Sequence, residues 1–156
     1  MDGLSLLKQD HHKAKEAIKN IEKTSDQATK ERGELFQSLV DDLTVHERIE
    51  EEIFYPALEE QPKTKDLILE SYVEHNVVDE LTDEISTIEL GDEKWLPTFK
   101  VFKENLEHHI KEEEEELFPK VKEIFSKDQL EDLGAKMAAL KEQAQQELMQ
   151  EATEEA

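Results

Sequence analysis

The 156-residue sequence contains no cysteine. That excludes disulfides, thiolate-bound zinc and iron–sulfur clusters, and leaves histidine and carboxylate as the protein ligands for any metal. Glycine and proline are scarce, four of each, so the chain reads as long helices joined by short connections. No apolar stretch approaches the roughly 20 residues that span a bilayer, and the N-terminus lacks the basic start and apolar run of a signal peptide. A cytoplasmic protein is expected. Basic residues are outnumbered, 19 Lys and Arg against 41 Asp and Glu, for a net charge of −22. That charge repels nucleic acid and anionic membranes, no local basic face offsets it, and neither is expected as a partner. The length suits a single domain, residues 1–156, large enough to bury a core without a metal or disulfide to hold it.

Four apolar stripes of helical period stand out. The first, over Leu4 to Lys23, carries Leu4, Leu7, Ala14, Ile18 and Ile21, and the missing member of its series is His11. The second, over Lys30 to Glu59, carries Phe36, Leu39, Leu43, His46, Glu50, Ile53 and Ala57. The third, over Lys65 to Glu89, carries Ile68, Tyr72, His75, Val78, Thr82 and Ile85. The fourth starts near Trp95, with Pro97 at ease in a first turn, and carries Phe99, Phe102, Leu106, His109, Glu113 and Leu117. His12 aligns with Lys8, Lys15 and Lys19, and His108 with Asn105 and Glu112, so both fall on solvated faces. Pro56 and Pro119 are expected to kink or end their helices. Ser126 is placed to cap a fifth helix, and residues 150–156 are expected to fray. The fold class is therefore all-α: an up-down-up-down four-helix bundle over about residues 4–125, with an additional C-terminal helix over about 127–149 that packs across the bundle or extends from it.

Two segments are copies of one pattern, His46 to Pro56 and His109 to Pro119. Each sets a His and a Glu four residues apart, on one helix face one turn apart, so both side chains reach one point in space. A lone histidine in an apolar stripe is commonly a hydrogen-bonded core residue. Here each of four helices offers one inward His, and two add an inward Glu. Burying carboxylates without a cation nearby is strongly unfavourable, and no Lys or Arg lies on those stripes. A metal centre is the economical explanation. Four imidazoles and two shared carboxylates exceed the needs of one tetrahedral zinc and suit two first-row ions about 3.5–4 Å apart. The donor set favours iron or manganese, with zinc able to substitute.

Two other metal signatures are absent. A zinc-protease helix needs His where Glu50 stands. Ferritin-like di-iron proteins place Glu three residues before His, where this chain has Lys8, Gln9, Leu43, Tyr72, Asn105 and Leu106. The acidic run Glu112 to Glu116, apart from Glu113, reads as a solvated face.

Together, Leu7 to His11, His46 to Pro56, Glu74-His75 and His109 to Pro119 resemble the hemerythrin-like family, also called the HHE cation-binding domain. The resemblance implies a four-helix bundle holding two iron ions in an oxo- or hydroxo-bridged di-iron centre. It implies His11, His46, His75 and His109 as iron ligands, with Glu50 and Glu113 bridging the irons. Oxygen-carrying members have a second His one turn after the third-helix ligand, where this chain has Asp79. Some hemerythrin-like iron and oxygen sensors instead use a Glu directly after the second-helix His, the place of Glu47. Glu47 is thus expected as the seventh metal ligand, with Asp79 its rival. An anionic ligand in place of imidazole favours ferric over ferrous iron. The expected function is to bind or react with dioxygen, peroxide or nitric oxide, in sensing or detoxification. A di-iron peroxidase or oxidase-type enzyme, a reversible oxygen carrier and an iron sensor stand as alternatives, although no separate substrate-positioning motif is found.

Overall fold

The computed structural model describes residues 1–155, and among them there is no strand. The elements are α1 (Gly3–Glu22), α2 (Thr29–Ile49), a π-helical turn π1 (Glu50–Phe54), α3 (Tyr55–Glu59), α4 (Lys65–Ser86), α5 (Trp95–Glu112), a second π-helical turn π2 (Glu113–Leu117), α6 (Phe118–Ile124) and α7 (Lys127–Glu155). The segments α2, π1 and α3 follow without a break, as do α5, π2 and α6, so the chain forms five rods. Asp2 starts the first by accepting the Ser5 N–H at 2.8 Å. Ser126 starts the last through a reciprocal capping box: its hydroxyl accepts the Gln129 N–H at 3.2 Å, and its own N–H donates to Gln129 Oε1 at 2.8 Å. α7 then runs to Glu155, through the stretch expected to fray; Ala156 lies outside the described residues.

The π turns show that neither proline ends its helix. Each begins at one of the paired glutamates, with the Tyr55 N–H reaching the Glu50 carbonyl and the Phe118 N–H reaching that of Glu113. These bonds span five residues instead of four and widen the helix. Pro56 and Pro119 sit just beyond, in the first turn of the next segment, where a missing N–H is tolerated, and both rods run on through them. The extra residue also rephases the buried stripe. Ile53 and Ala57, which a uniform period of about 3.6 residues selects, are only half-buried. Phe54, Tyr55 and Leu58 are buried instead.

Contacts fix the packing of the rods. Arg32, early in α2, donates to Thr24 just past α1, and His46, late in α2, meets Asp10 in the middle of α1, so the two run antiparallel. Lys103 in the middle of α5 meets Glu22 at the end of α1, while Glu114 beyond α5 meets His11. α7 lies on the bundle and does not extend away from it: Leu130, Met137 and Ala144 share an apolar cluster with Leu4, Leu7, Val45 and Ile49. A second cluster gathers Ile18, Phe36, Leu39, Val78, Trp95, Phe99 and Phe102. Along each of the four rods α1, α2, α4 and α5, the inward His falls where one cluster gives way to the other. The polar layer is thus enclosed by apolar packing on both sides, where electrostatic interactions are least screened.

Candidate metal centre

The structure brings six of the expected residues into one buried layer: His11, His46, Glu50, His75, His109 and Glu113. Their Nε2 atoms point to the two glutamates. His46 and His75 place Nε2 at 3.1 Å from the same oxygen, Glu50 Oε1. His11 Nε2 lies 3.1 Å from Glu113 Oε1, and His109 Nε2 lies 3.5 Å from Glu113 Oε2. Single donor atoms of His11, His46, Glu50 and Glu113 all fall within 4.8 Å of one another, and so do those of Glu50, His75 and His109. Glu50 belongs to both groups.

The layer is incomplete as a hydrogen-bond network. Despite these short distances, five buried atoms in it make no well-directed hydrogen bond: Nε2 of His11, His46 and His109, Glu50 Oε2 and Glu113 Oε1. Buried polar atoms in folded proteins are nearly always satisfied. Convergent nitrogen and carboxylate donors left open in this way fit a cation held between them.

Outside the layer, each imidazole is held by its other nitrogen. Nδ1 of His11 faces Glu114 at 2.7 Å, that of His46 faces Asp10 at 2.9 Å, that of His75 faces Glu51 at 2.9 Å, and that of His109 faces Glu74 at 2.8 Å. In the neutral imidazole with Nδ1–H donating outward, the Nε2 lone pair is directed inward, the arrangement by which proteins orient metal-binding histidines. Each outer carboxylate adjoins an inner ligand in sequence but serves the histidine of a neighbouring helix, so the four bonds close a ring around the bundle. The sequence reading missed all four. Glu114 in particular belongs to this ring and not to a merely solvated face. The available signal was the doublets Asp10-His11, Glu50-Glu51, Glu74-His75 and Glu113-Glu114.

Charge and burial compete throughout. Burial pulls the His46 imidazole down, but Glu50 and Asp10 hold it well above its usual value. Burial pushes the Glu50 carboxyl up, but His46, Glu113 and His75 hold it well below the usual carboxylate range. Tyr55, buried beside the layer, donates its hydroxyl to Glu113 Oε2 at 2.5 Å and lies 3.3 Å from His75 Nε2. This contact too was absent from the sequence reading, because the π turn carries Tyr55 inward.

Beside the layer lies a cavity of about 40 Å³, whose lining includes the four histidines, Glu47, Val78, Leu106, Ile110 and Lys141. Glu47 therefore reaches the same space as the imidazoles. Asp79 lines an outer groove between α2 and α4, which Glu47 also borders. Burial, and then Asp79, push the Glu47 carboxyl up to about 8 despite the opposing pull of His75. His12 is exposed, and His108 is 69% exposed and among the described residues pairs with Glu74 and Glu112, so both stand apart from the layer as expected.

Comparisons with known proteins agree with this geometry. The family description "Hemerythrin HHE cation binding domain" matches residues 2–121, ending before α7. The uncharacterized protein Rv2633c of Mycobacterium tuberculosis is 36% identical over 120 residues, covering 74% of this chain and 70% of that one. A crystal structure of a hemerythrin HHE cation-binding domain-containing protein, the Rv2633c homolog from Mycobacterium kansasii, superposes with a TM-score of 0.86 at 29% identity, covering 96% of this chain and 90% of that one. A DNA nickase of Nostoc sp. is 25% identical over 156 residues, but this chain spans only 43% of its length. A buried His–Glu layer, a matching fold and a family match over most of the sequence lead to one conclusion: the chain belongs to the hemerythrin HHE cation-binding domain family.

Proposed function

We propose that this chain is a non-haem di-iron protein that binds or reacts with dioxygen, peroxide or nitric oxide, in sensing or detoxification. The observation that carries the reading is the set of five buried, unpartnered nitrogen and oxygen atoms directed at one another within the His–Glu layer. In this reading residues 1–156 are one domain, an up-down-up-down four-helix bundle with α7 added. His11 and His46 would hold one iron and His75 and His109 the other, with Glu50 and Glu113 shared between them. Glu47 is favoured over Asp79 as the seventh ligand because it borders the histidine-lined cavity.

Two irons bound there would supply redox electrons and a coordination position for a small oxidant or for nitric oxide. The chain's own residues set what can reach that position. Val78, Leu106 and Ile110 give the cavity an apolar part beside its polar lining, and its volume of about 40 Å³ is enough for a diatomic molecule or peroxide. The ring of outer carboxylates keeps all four imidazoles in the tautomer with Nε2 free. Tyr55 holds a proton against Glu113 Oε2. An anionic Glu47 would favour the ferric state, which argues against reversible oxygen carriage.

Elemental analysis of protein expressed in iron-rich medium tests the reading: two irons per chain are expected, and none would overturn it. Dioxygen added to the reduced protein is expected to oxidise it irreversibly. Recovery of the gas under vacuum would make the protein a carrier instead. Sustained peroxide turnover by the iron-loaded protein would assign it to detoxification over sensing.

A further inference from the structure

The four outer carboxylates are not equivalent. All four lie on the rods that carry the histidines, but among the described residues Glu51, Glu74 and Glu114 are not paired with a lysine or arginine. Asp10 is paired. Its Oδ2 accepts from His46 Nδ1 at 2.9 Å, and its Oδ1 accepts from the Lys141 ammonium at 2.6 Å. Lys141 belongs to α7, which begins at Lys127, past the residues that the family description matches.

α7 is fixed over this point from several directions. Gly134 crosses the backbone of Met1 to Gly3 so closely that no side chain fits there. Met137 and Ala144, each a turn from Lys141 on the same helix face, are buried. Glu147 pairs with Arg48 of α2 at 2.6 Å. Lys141 and Gln145 together border the histidine-lined cavity. An ammonium anchored in this way holds one oxygen of Asp10 and leaves the other aimed at the imidazole. The remaining three carboxylates have no such anchor, so the two halves of the centre differ most on the side that α7 covers.

We propose that Lys141 is a positioning residue of the metal centre: acting through Asp10 it fixes the His46 ring, so that α7 sets metal affinity at the His11–His46 position and not at the His75–His109 position. The proposal rests on the two-metal reading above. Outer partners of metal-binding histidines change affinity by roughly 10–100-fold when removed, which is the size of effect expected here.

Cobalt(II), titrated into the full-length chain and followed by its visible d–d bands, provides the test. Wild type should take up two ions. Lys141→Met, which keeps the aliphatic stem but loses the charge, should weaken one of them by roughly 10–100-fold, and Lys141→Arg should restore it. Position is read in paired backgrounds. With His109→Ala present, Lys141→Met should weaken the remaining ion and shift its bands; with His11→Ala present, it should leave the remaining ion unchanged. Glu147→Gln breaks the other α7 ion pair without touching Asp10 and should bind cobalt as wild type does. The proposal is overturned if Lys141→Met matches wild type, if it weakens both positions equally, or if Glu147→Gln produces the same loss, which would mean that α7 only braces the fold. Uptake of fewer than two ions by wild type would bring down the two-metal reading and this proposal with it. Two ions with no effect of Lys141→Met would remove this proposal alone.

Discussion

Tyr55 and Phe118 occupy corresponding places in the two halves of the centre, each immediately after a π turn that begins at a paired glutamate. Phe118 stacks on His11 with ring centroids 6.1 Å apart and planes 7° from parallel. Tyr55 sits 5.4 Å from the His75 ring and adds what Phe118 lacks, a hydroxyl donating to Glu113 Oε2 at 2.5 Å. Burial, reinforced by Glu113 and Glu50, pushes the Tyr55 phenol well above its usual value, so the hydroxyl keeps its proton and acts as a donor. Tyr55→Phe should fold, since the ring is kept and the corresponding position already holds Phe. It should leave Glu113 Oε2 without its donor and destabilise the chelator-treated protein by about 1–3 kcal/mol. Urea denaturation reads this directly, and an unchanged midpoint would show that the bond contributes nothing to the fold.

Glu47 and Asp79 compete for the same role, and their surroundings separate them. Glu47 borders the cavity with the histidines, whereas Asp79 borders the outer groove. Glu47→Gln preserves shape and removes the anionic donor. It should lower iron content or weaken one ion at least about tenfold and shift the visible spectrum, whereas Asp79→Asn should retain wild-type iron. The reverse pattern would make Asp79 the ligand.

Glu50 stands in both donor groups, with Oε1 at 3.1 Å from the Nε2 atoms of His46 and His75. Glu50→Ala should therefore lose both ions, and His109→Ala only one, as measured by iron per chain after gel filtration. Each ion should stabilise the native state by about 2.7 kcal/mol when free iron is at about 100 times its dissociation constant. Thermal unfolding with and without a chelator measures that term. A Glu50→Ala protein that kept two irons would place the shared ligand elsewhere.

Six residues of the layer were legible in the sequence because a polar side chain that interrupts an apolar stripe is carried into the core, where it needs a partner. The same period removed His12 and His108, and the structure leaves both outside. What escaped lies one step off the stripes. Asp10, Glu51, Glu74 and Glu114 look like surface residues when each helix is read alone, since the histidine that each one serves is on another helix. The π turns escaped as well, because a hydrogen bond spanning five residues leaves no residue pattern of its own. Pro56 and Pro119 consequently read as helix kinks or ends, and a uniform period puts Phe54 and Tyr55 off the buried face. The apolar residues of α7 indicate that it packs against something; only the fold shows that Lys141 lands on Asp10.

The protonation balance of the layer leads to the last prediction, for protein stripped of metal by a chelator. Burial pulls His75 down, but Glu50, then Glu47 and Glu51, hold it at about 10 against an ordinary 6.5. His46 and His109 are raised in the same sense, chiefly by Glu50 and Glu113 against the same opposition from burial. A histidine whose folded pKa exceeds its unfolded value contributes stability that is complete below the unfolded pKa and is lost as pH rises through the folded one. Glu47 has the same sign. Burial and Asp79 push it from 4.5 to about 8, so the folded state resists its ionisation and loses stability as pH climbs across that interval. Glu50, held low chiefly by His46 despite burial, works oppositely and is lost only in acid. Stripped protein should therefore become less stable from about pH 6.5 to about pH 10, the interval that His75 sets and Glu47 reinforces up to about 8, while iron affinity rises over the same range because the metal takes the place of those protons. Urea midpoints of the chelated protein, set beside metal titrations at matching pH, measure both trends. A midpoint that rises with pH through this window would mean that the inward imidazoles are neutral without metal.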